Sequence, residues 1–135
     1  MANPSSRVFP DSSFWVSYFW DEDGNHGAAV RLAKEAGLLE SRVFFNHYSL
    51  GEAITILTYR GGRGLADAFL TALGALDAQF VDAGVEAYLR AFGGIPKKVA
   101  FSDVAIVLDA VRYGAELLSF DKQQISIYKA LLPSR

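Results

Sequence analysis

The apolar positions along this chain switch repeatedly between a helical period and short strand-like runs, and the densest stretch lies near the C-terminus. From Val104 to Val111 every residue is apolar except Asp109. That predicts a helix buried on several sides. Gly114 follows as a helix stop. Leu117, Leu118 and Phe120 then form a short apolar run, as a strand covered on both faces does. Upstream, Arg7-Val8-Phe9 predicts a first strand ended by Pro10, and Arg42-Val43-Phe44-Phe45 a second. Gln79-Phe80-Val81 predicts a short third strand. The aromatic run Phe14 to Trp20 predicts a short helix or turn on the core. The spacing of Ala29, Leu32, Ala33 and Ala36 predicts a helix over about 27–39. A further helix opens at Ser49 with Ala53, Ile56 and Leu57 on one face. Tyr59 to Gly64 is expected as a basic, flexible loop. Helices follow over Leu65 to Ala78 and around Val85 to Phe92. A turn or short helix starts at Lys122, and Ile125 to Leu132 is expected as a last strand. Alternating strands and helices imply an α/β fold with a mainly parallel central sheet and helices on both faces.

Composition narrows the chemistry. The 135 residues suit one domain over 1–135. At 51% apolar the chain has enough for a sizeable core. Its net charge of -2 provides no global basic field, so any nucleic-acid surface must be local. There is no cysteine, hence no disulfide, thiolate metal site or cysteine nucleophile. That fits a reducing cytoplasm. No apolar run is long enough to span a bilayer, so no membrane partner is expected.

The chemistry lies in acids at element junctions. Asp11 follows the first strand, Glu52 enters the helix after the second, Asp103 opens the apolar helix, and Asp121 follows the strand after it. Each has an ordinary explanation. Ser49-x-x-Glu52 fits a capping box, Asp103 complements a helix dipole, and Asp11 and Asp121 suit N-caps. In a parallel sheet with helical crossovers, however, strand C-termini and helix N-termini share one edge. The four carboxylates then meet there. Two such charges about 4 Å apart repel by roughly 4 kcal/mol at an effective dielectric near 20. A cluster of them takes up protons or binds a cation. Oxygen-only donors suit Mg²⁺ or Mn²⁺, and such a site does hydrolytic phosphoryl chemistry.

Asp11-Ser12-Ser13, the helix with Glu52, Ser102-Asp103 with the apolar run to Asp109-Ala110, and Leu117-Leu118-Ser119-Phe120-Asp121 together resemble the PIN domain. They are similar in particular to its small single-domain VapC-type toxin ribonucleases, over nearly the whole chain. The resemblance implies a three-layer sandwich and a Mg²⁺-dependent acidic site, formed by Asp11, Glu52, Asp103 and Asp121, that cleaves RNA. It implies supporting roles for Ser13 and Ser119. It also implies a homodimer and, for a toxin, a cognate antitoxin covering the acidic edge. Trp15, Phe19 and Trp20 are candidate anchors by residue type, and equally candidates to fill the core. Ser12 stands where the family usually has threonine, and Pro10 before the first acid is unusual.

Arg60, Arg63, Lys97, Lys98 and Lys122 are the candidate RNA-backbone contacts, because a site of four acids needs nearby cations to hold RNA. The competing reading is a non-catalytic PIN-fold module that binds RNA or protein. A receiver-type phosphorylation domain would need an adjacent acid pair after the first strand and a late lysine, which are not placed here.

Overall fold

The structure, a computed structural model, describes residues 6–133. Four strands, β1 (Arg7–Pro10), β2 (Arg42–Phe45), β3 (Gln79–Phe80) and β4 (Glu116–Leu118), form one sheet in the order β3-β2-β1-β4. All three pairings are parallel. The helices are α1 (Ser12–Phe19), α2 (His26–Ala36), α3 (His47–Gly61), α4 (Arg63–Ala75), α5 (Val85–Gly93), α6 (Phe101–Arg112) and α7 (Lys122–Leu131). The sequence before the first strand, Met1 to Ser6, reads as a frayed start, and all of it but Ser6 falls outside the described residues.

Strand side chains alternate between faces, and here both faces are covered. Val8, Val43 and Leu118 point to one side and join Phe14, Trp15, Leu57 and Phe69, so α1 to α4 make that layer. Phe9 and Phe44 point to the other and meet Ile106 and Ala110 of α6. Leu117 joins Val104, Val107 and Ile127 there, which brings α7 in. The expected α/β sandwich is therefore the observed one. Its chain runs outward from β1 to β2 and β3, then jumps back across β1 to β4. The reversal puts the crevice of the sheet between the C-terminal ends of β1 and β4, where open α/β sheets bind ligands.

Several local expectations are corrected. Ile125 to Leu132 is not a strand. Gln124, Ile127, Tyr128 and Leu131 recur at a helical spacing, and α7 turns them inward. The Asp121 side chain caps that helix by accepting from the Gln123 and Gln124 N–H groups. The basic loop expected over Tyr59 to Gly64 is mostly helix: α3 continues to Gly61, and Gly62, at φ +87°, alone separates it from α4. Only glycine adopts that backbone freely. Pro10 ends β1 as expected, as its last residue, and still pairs opposite Leu118. The Asp11 N–H donates to the Leu118 carbonyl, so the ladder resumes one residue later. Trp15 is 1% exposed and is core, not an interface anchor. Phe19 and Trp20 are half-buried against the same core.

One buried charge holds the α5–α6 layer to the sheet. Asp109 is fully buried and accepts from Asn46 Nδ2, the Ala83 N–H and the Tyr88 hydroxyl. Asn46 in turn caps α3 by accepting from the Tyr48 and Ser49 N–H groups. A buried charge is tolerable only when its lone pairs are filled in this way. We predict that Asp109→Ala, which removes the buried acceptor shared by Asn46 Nδ2, the Ala83 N–H and the Tyr88 hydroxyl, lowers unfolding stability by about 3 kcal/mol. Tyr88→Phe should cost about 1 kcal/mol. Denaturant titration followed by circular dichroism measures both, and equal small losses would contradict this account.

Candidate active site

The site grows out of the β1–β4 crevice. Asp11 leaves β1 and caps α1, with Oδ1 accepting from the Phe14 N–H at 2.8 Å. It is fully buried. Both of its oxygens are held by hydroxyls. Ser13 donates to Oδ1 at 2.6 Å, and Ser119, just past β4, donates to Oδ2. Those hydroxyls are themselves fixed by the far strand. Ser13 Oγ accepts from the Phe120 N–H and Ser119 Oγ from the Asp121 N–H, each at 2.9 Å. Ser13 and Ser119 thus bolt the end of β1 to the end of β4 and lock the orientation of Asp11.

Burial pushes the Asp11 carboxyl up to about 6, against the pull of the Ser119, Ser13 and Phe14 hydrogen bonds; the charge of Asp121 adds to the rise. Burial likewise raises Asp103, in the first turn of α6; the Gln124 hydrogen bond opposes this and Asp121 reinforces it. Asp121 therefore stands close enough to both to repel them. Asp103 Oδ1 accepts from Gln124 Nε2 at 2.9 Å, so the N-termini of α6 and α7 are joined beside the crevice.

Glu52 arrives from the opposite wall. The Ser49-x-x-Glu52 capping box is not formed. α3 starts earlier, and its box pairs Asn46 with Ser49, whose hydroxyl accepts from the Asn46 N–H at 3.1 Å. Glu52 lies beyond the first turn, out of reach of that end, and is released. Its Oε2 accepts from Ser12 Oγ at 3.1 Å, and its Oε1 is buried without a partner. A buried acceptor left bare costs free energy unless something else fills it.

All four predicted acids thus belong to one neighbourhood. Asp11, Asp103 and Asp121 are coupled by charge, and Glu52 is tied to it through Ser12 next to Asp11. They do not stand as a closed ligand set: among the described residues no three acids or histidines converge tightly enough to enclose an ion. Asp121 is turned to its helix and Asp103 to Gln124, because each carboxylate takes the nearest donors. The donor chemistry nevertheless suits a hard divalent cation: acceptor-only oxygens, an orphaned Glu52 Oε1, and two acids whose charge is disfavoured where they stand.

The cations fall into two places. Lys97 and Lys122 line a groove of about 500 Å³ between the α5–α6 loop and α7. Lys98 is exposed beside it, its carbonyl accepting from Gln123 Nε2. Arg60 lines a second groove, of about 400 Å³, together with Ser13, Glu52 and Asp121. Arg63 is exposed at the start of α4 and pairs with Asp67 at 3.2 Å. Sequence reasoning missed Ser12, which seats Glu52, and Gln124, which holds Asp103. Gln124 had a signal: Asp121-x-x-Gln124 is the spacing of a helix N-terminus.

A model of the PIN domain matches residues 8–130. No curated protein matches the sequence. Among solved structures, the chain is similar to the crystal structure of Mycobacterium tuberculosis VapC20, a sarcin–ricin loop cleaving toxin. The TM-score is 0.73 at 21% identity, over 88% of this chain and 93% of that one. At that identity the likeness speaks for the fold, and it agrees with the topology above. With the family match extending from β1 through most of α7, the chain belongs to the PIN domain family.

Proposed function

We propose that this protein is a divalent-metal-dependent endoribonuclease and the toxin of a toxin–antitoxin pair. The observation that carries the reading is the crevice itself, where burial and the nearby Asp121 disfavour charge on Asp11 and Asp103, and Glu52 turns an unpartnered oxygen inward. PIN family membership and a fold shared with a toxin that cleaves an RNA loop support it.

Asp11, Asp103 and Asp121 would hold Mg²⁺ or Mn²⁺, with Glu52 completing the set. When bound, the metal supplies a positive centre that activates water and offsets charge on the scissile phosphate. The chain's own residues do the rest. Glu52 Oε1 accepts a hydrogen bond from the attacking water and then its proton, while Ser12 keeps the other oxygen occupied. Ser13 and Ser119 prevent Asp11 from rotating away. Lys97, Lys98, Lys122 and Arg63 give the RNA backbone cations beyond the acidic edge. The antitoxin, the homodimer and the cytoplasmic location belong to this same proposal.

Labelled RNA incubated with Mn²⁺ or with chelator is the direct test, and Asp103→Asn should abolish cleavage. Glu52→Gln should do so as well, by at least about 100-fold, the scale of general-base loss. Its melting temperature should stay within a few degrees, since Ser12 still finds an acceptor. Unchanged cleavage in Glu52→Gln would return the residue to a structural role.

Burial of Asp11 gives a separate test by pH. Its folded carboxyl titrates near 6 against an ordinary 3.8, so the folded protein holds the proton more tightly than the unfolded chain. This stability is present in acid and is lost as pH rises from about 4 to about 6. The gap corresponds to about 3 kcal/mol. In chelator we therefore expect melting temperature to fall across that window, and Asp11→Asn to remove much of the fall. Millimolar Mn²⁺ should restore stability above pH 6 in the wild type and not in Asp11→Asn. A flat profile with no metal response in either protein would contradict the site.

A further inference from the structure

Because α3 continues to Gly61, Arg60 is not on a loose loop. It lies eight residues beyond Glu52, with Ile56 between, on one face of a continuous helix. Eight residues span about 12 Å. All three line the groove of about 400 Å³ that also contains Ser13, Phe120 and Asp121. One groove therefore runs from the acids to a single fixed cation.

That cation is held from the opposite bank. The Arg60 guanidinium lies 5.4 Å from the centre of the Trp20 ring and 3.7 Å from Asp23 Oδ1. Asp23 is itself anchored, accepting from Ser17 Oγ at 2.8 Å and the Asn25 N–H at 2.9 Å. The Arg60 side chain remains 52% exposed, so its fork is positioned but not used up. A planar guanidinium stacked on an aromatic ring is well suited to a two-point grip on phosphate.

We propose that this groove is the track of a single-stranded RNA beside the cleaved bond, with Arg60 gripping a backbone phosphate and Trp20 positioning it. The inference rests on the ribonuclease reading and adds the path and its anchor. The occupant is a phosphodiester strand because the groove offers the acids, once they hold a cation, at one end and at the other the Arg60 fork, which keeps exposed donors beside its contact with Asp23. Phe120, stacked on Phe14 and facing the same groove, provides an aromatic surface for a base between them.

The test uses the full chain carrying Asp103→Asn, a single-stranded RNA oligonucleotide, Mn²⁺ and a salt series, with no other protein present. Arg60→Ala should weaken binding and reduce the slope of log affinity against log salt by about 0.7, one phosphate contact. Arg60→Lys should keep the slope and lose affinity, since it retains charge without the fork. Trp20→Leu should weaken binding several-fold when Arg60 is present and have no effect on Arg60→Ala, a dependence that general loss of packing would not produce. Arg112→Ala, at the far end of α6 from Asp103, controls for loss of any positive charge. An Arg60→Ala slope equal to wild type, or equal effects of Arg60→Ala and Arg112→Ala, overturns the groove. Should native Arg60 protein cleave RNA in the same hands, the ribonuclease reading survives that failure. Should it neither bind nor cleave RNA, both fall together.

Discussion

A buried carboxylate holds the working edge of this protein together. Asp11 is sealed in the crevice between β1 and β4, and its charge is disfavoured there. The fold answers with three donors, the Ser13 and Ser119 hydroxyls and the Phe14 N–H. Because the two hydroxyls also receive N–H groups from Phe120 and Asp121, the same bonds that orient Asp11 fix the chain leaving β4. Asp121 is delivered to its place by that route. Moving any member would disturb both strand ends, which is how a few hydrogen bonds keep repelling acids within reach of one another.

The two layers reach the crevice by different means. On one face α1 to α4 pack through ordinary apolar surface, with Trp15, Phe14 and Phe69 at the centre. On the other, apolar packing is supplemented by Asp109, a second buried charge that takes Asn46, Ala83 and Tyr88 as partners. Asn46 is also the cap of α3, the helix that carries Glu52 and Arg60. The Asp109 network therefore sets where that helix begins. Its starting point decides that Glu52 falls past the first turn, free of capping duty.

The same helix gives the site its direction. Glu52, Ile56 and Arg60 repeat every four residues, so one face of α3 carries an acid at the crevice and a cation two turns away. Trp20 and Asp23, from the segment after α1, close the other side. The acids at the element ends and the Arg60 cation on the neighbouring helix are positioned by the same core.

Much of this was written in the order of the residues. The buried run at Val104 to Val111, the strands at Val8, Val43 and Leu117, and the placing of Asp11, Asp103 and Asp121 at strand ends and helix starts follow from local periods and from the parallel topology. Local pattern is enough there because apolar spacing decides which way a side chain must face. It was not enough at α7, where Ile125 to Leu132 reads as a strand until Gln124 is seen turned inward to Asp103. Nor was it enough at Glu52, whose capping box is plausible over a single turn. Which of two nearby caps begins a helix depends on what the losing residue and the winning one meet across the sheet. Asn46 meets Asp109, sixty-three residues away, and Glu52 meets Ser12, forty residues away. Bonds of that sequence separation exist only once the strands are ordered, so residue types and spacing determined which acids the edge would hold, and tertiary structure alone decided how each one is held.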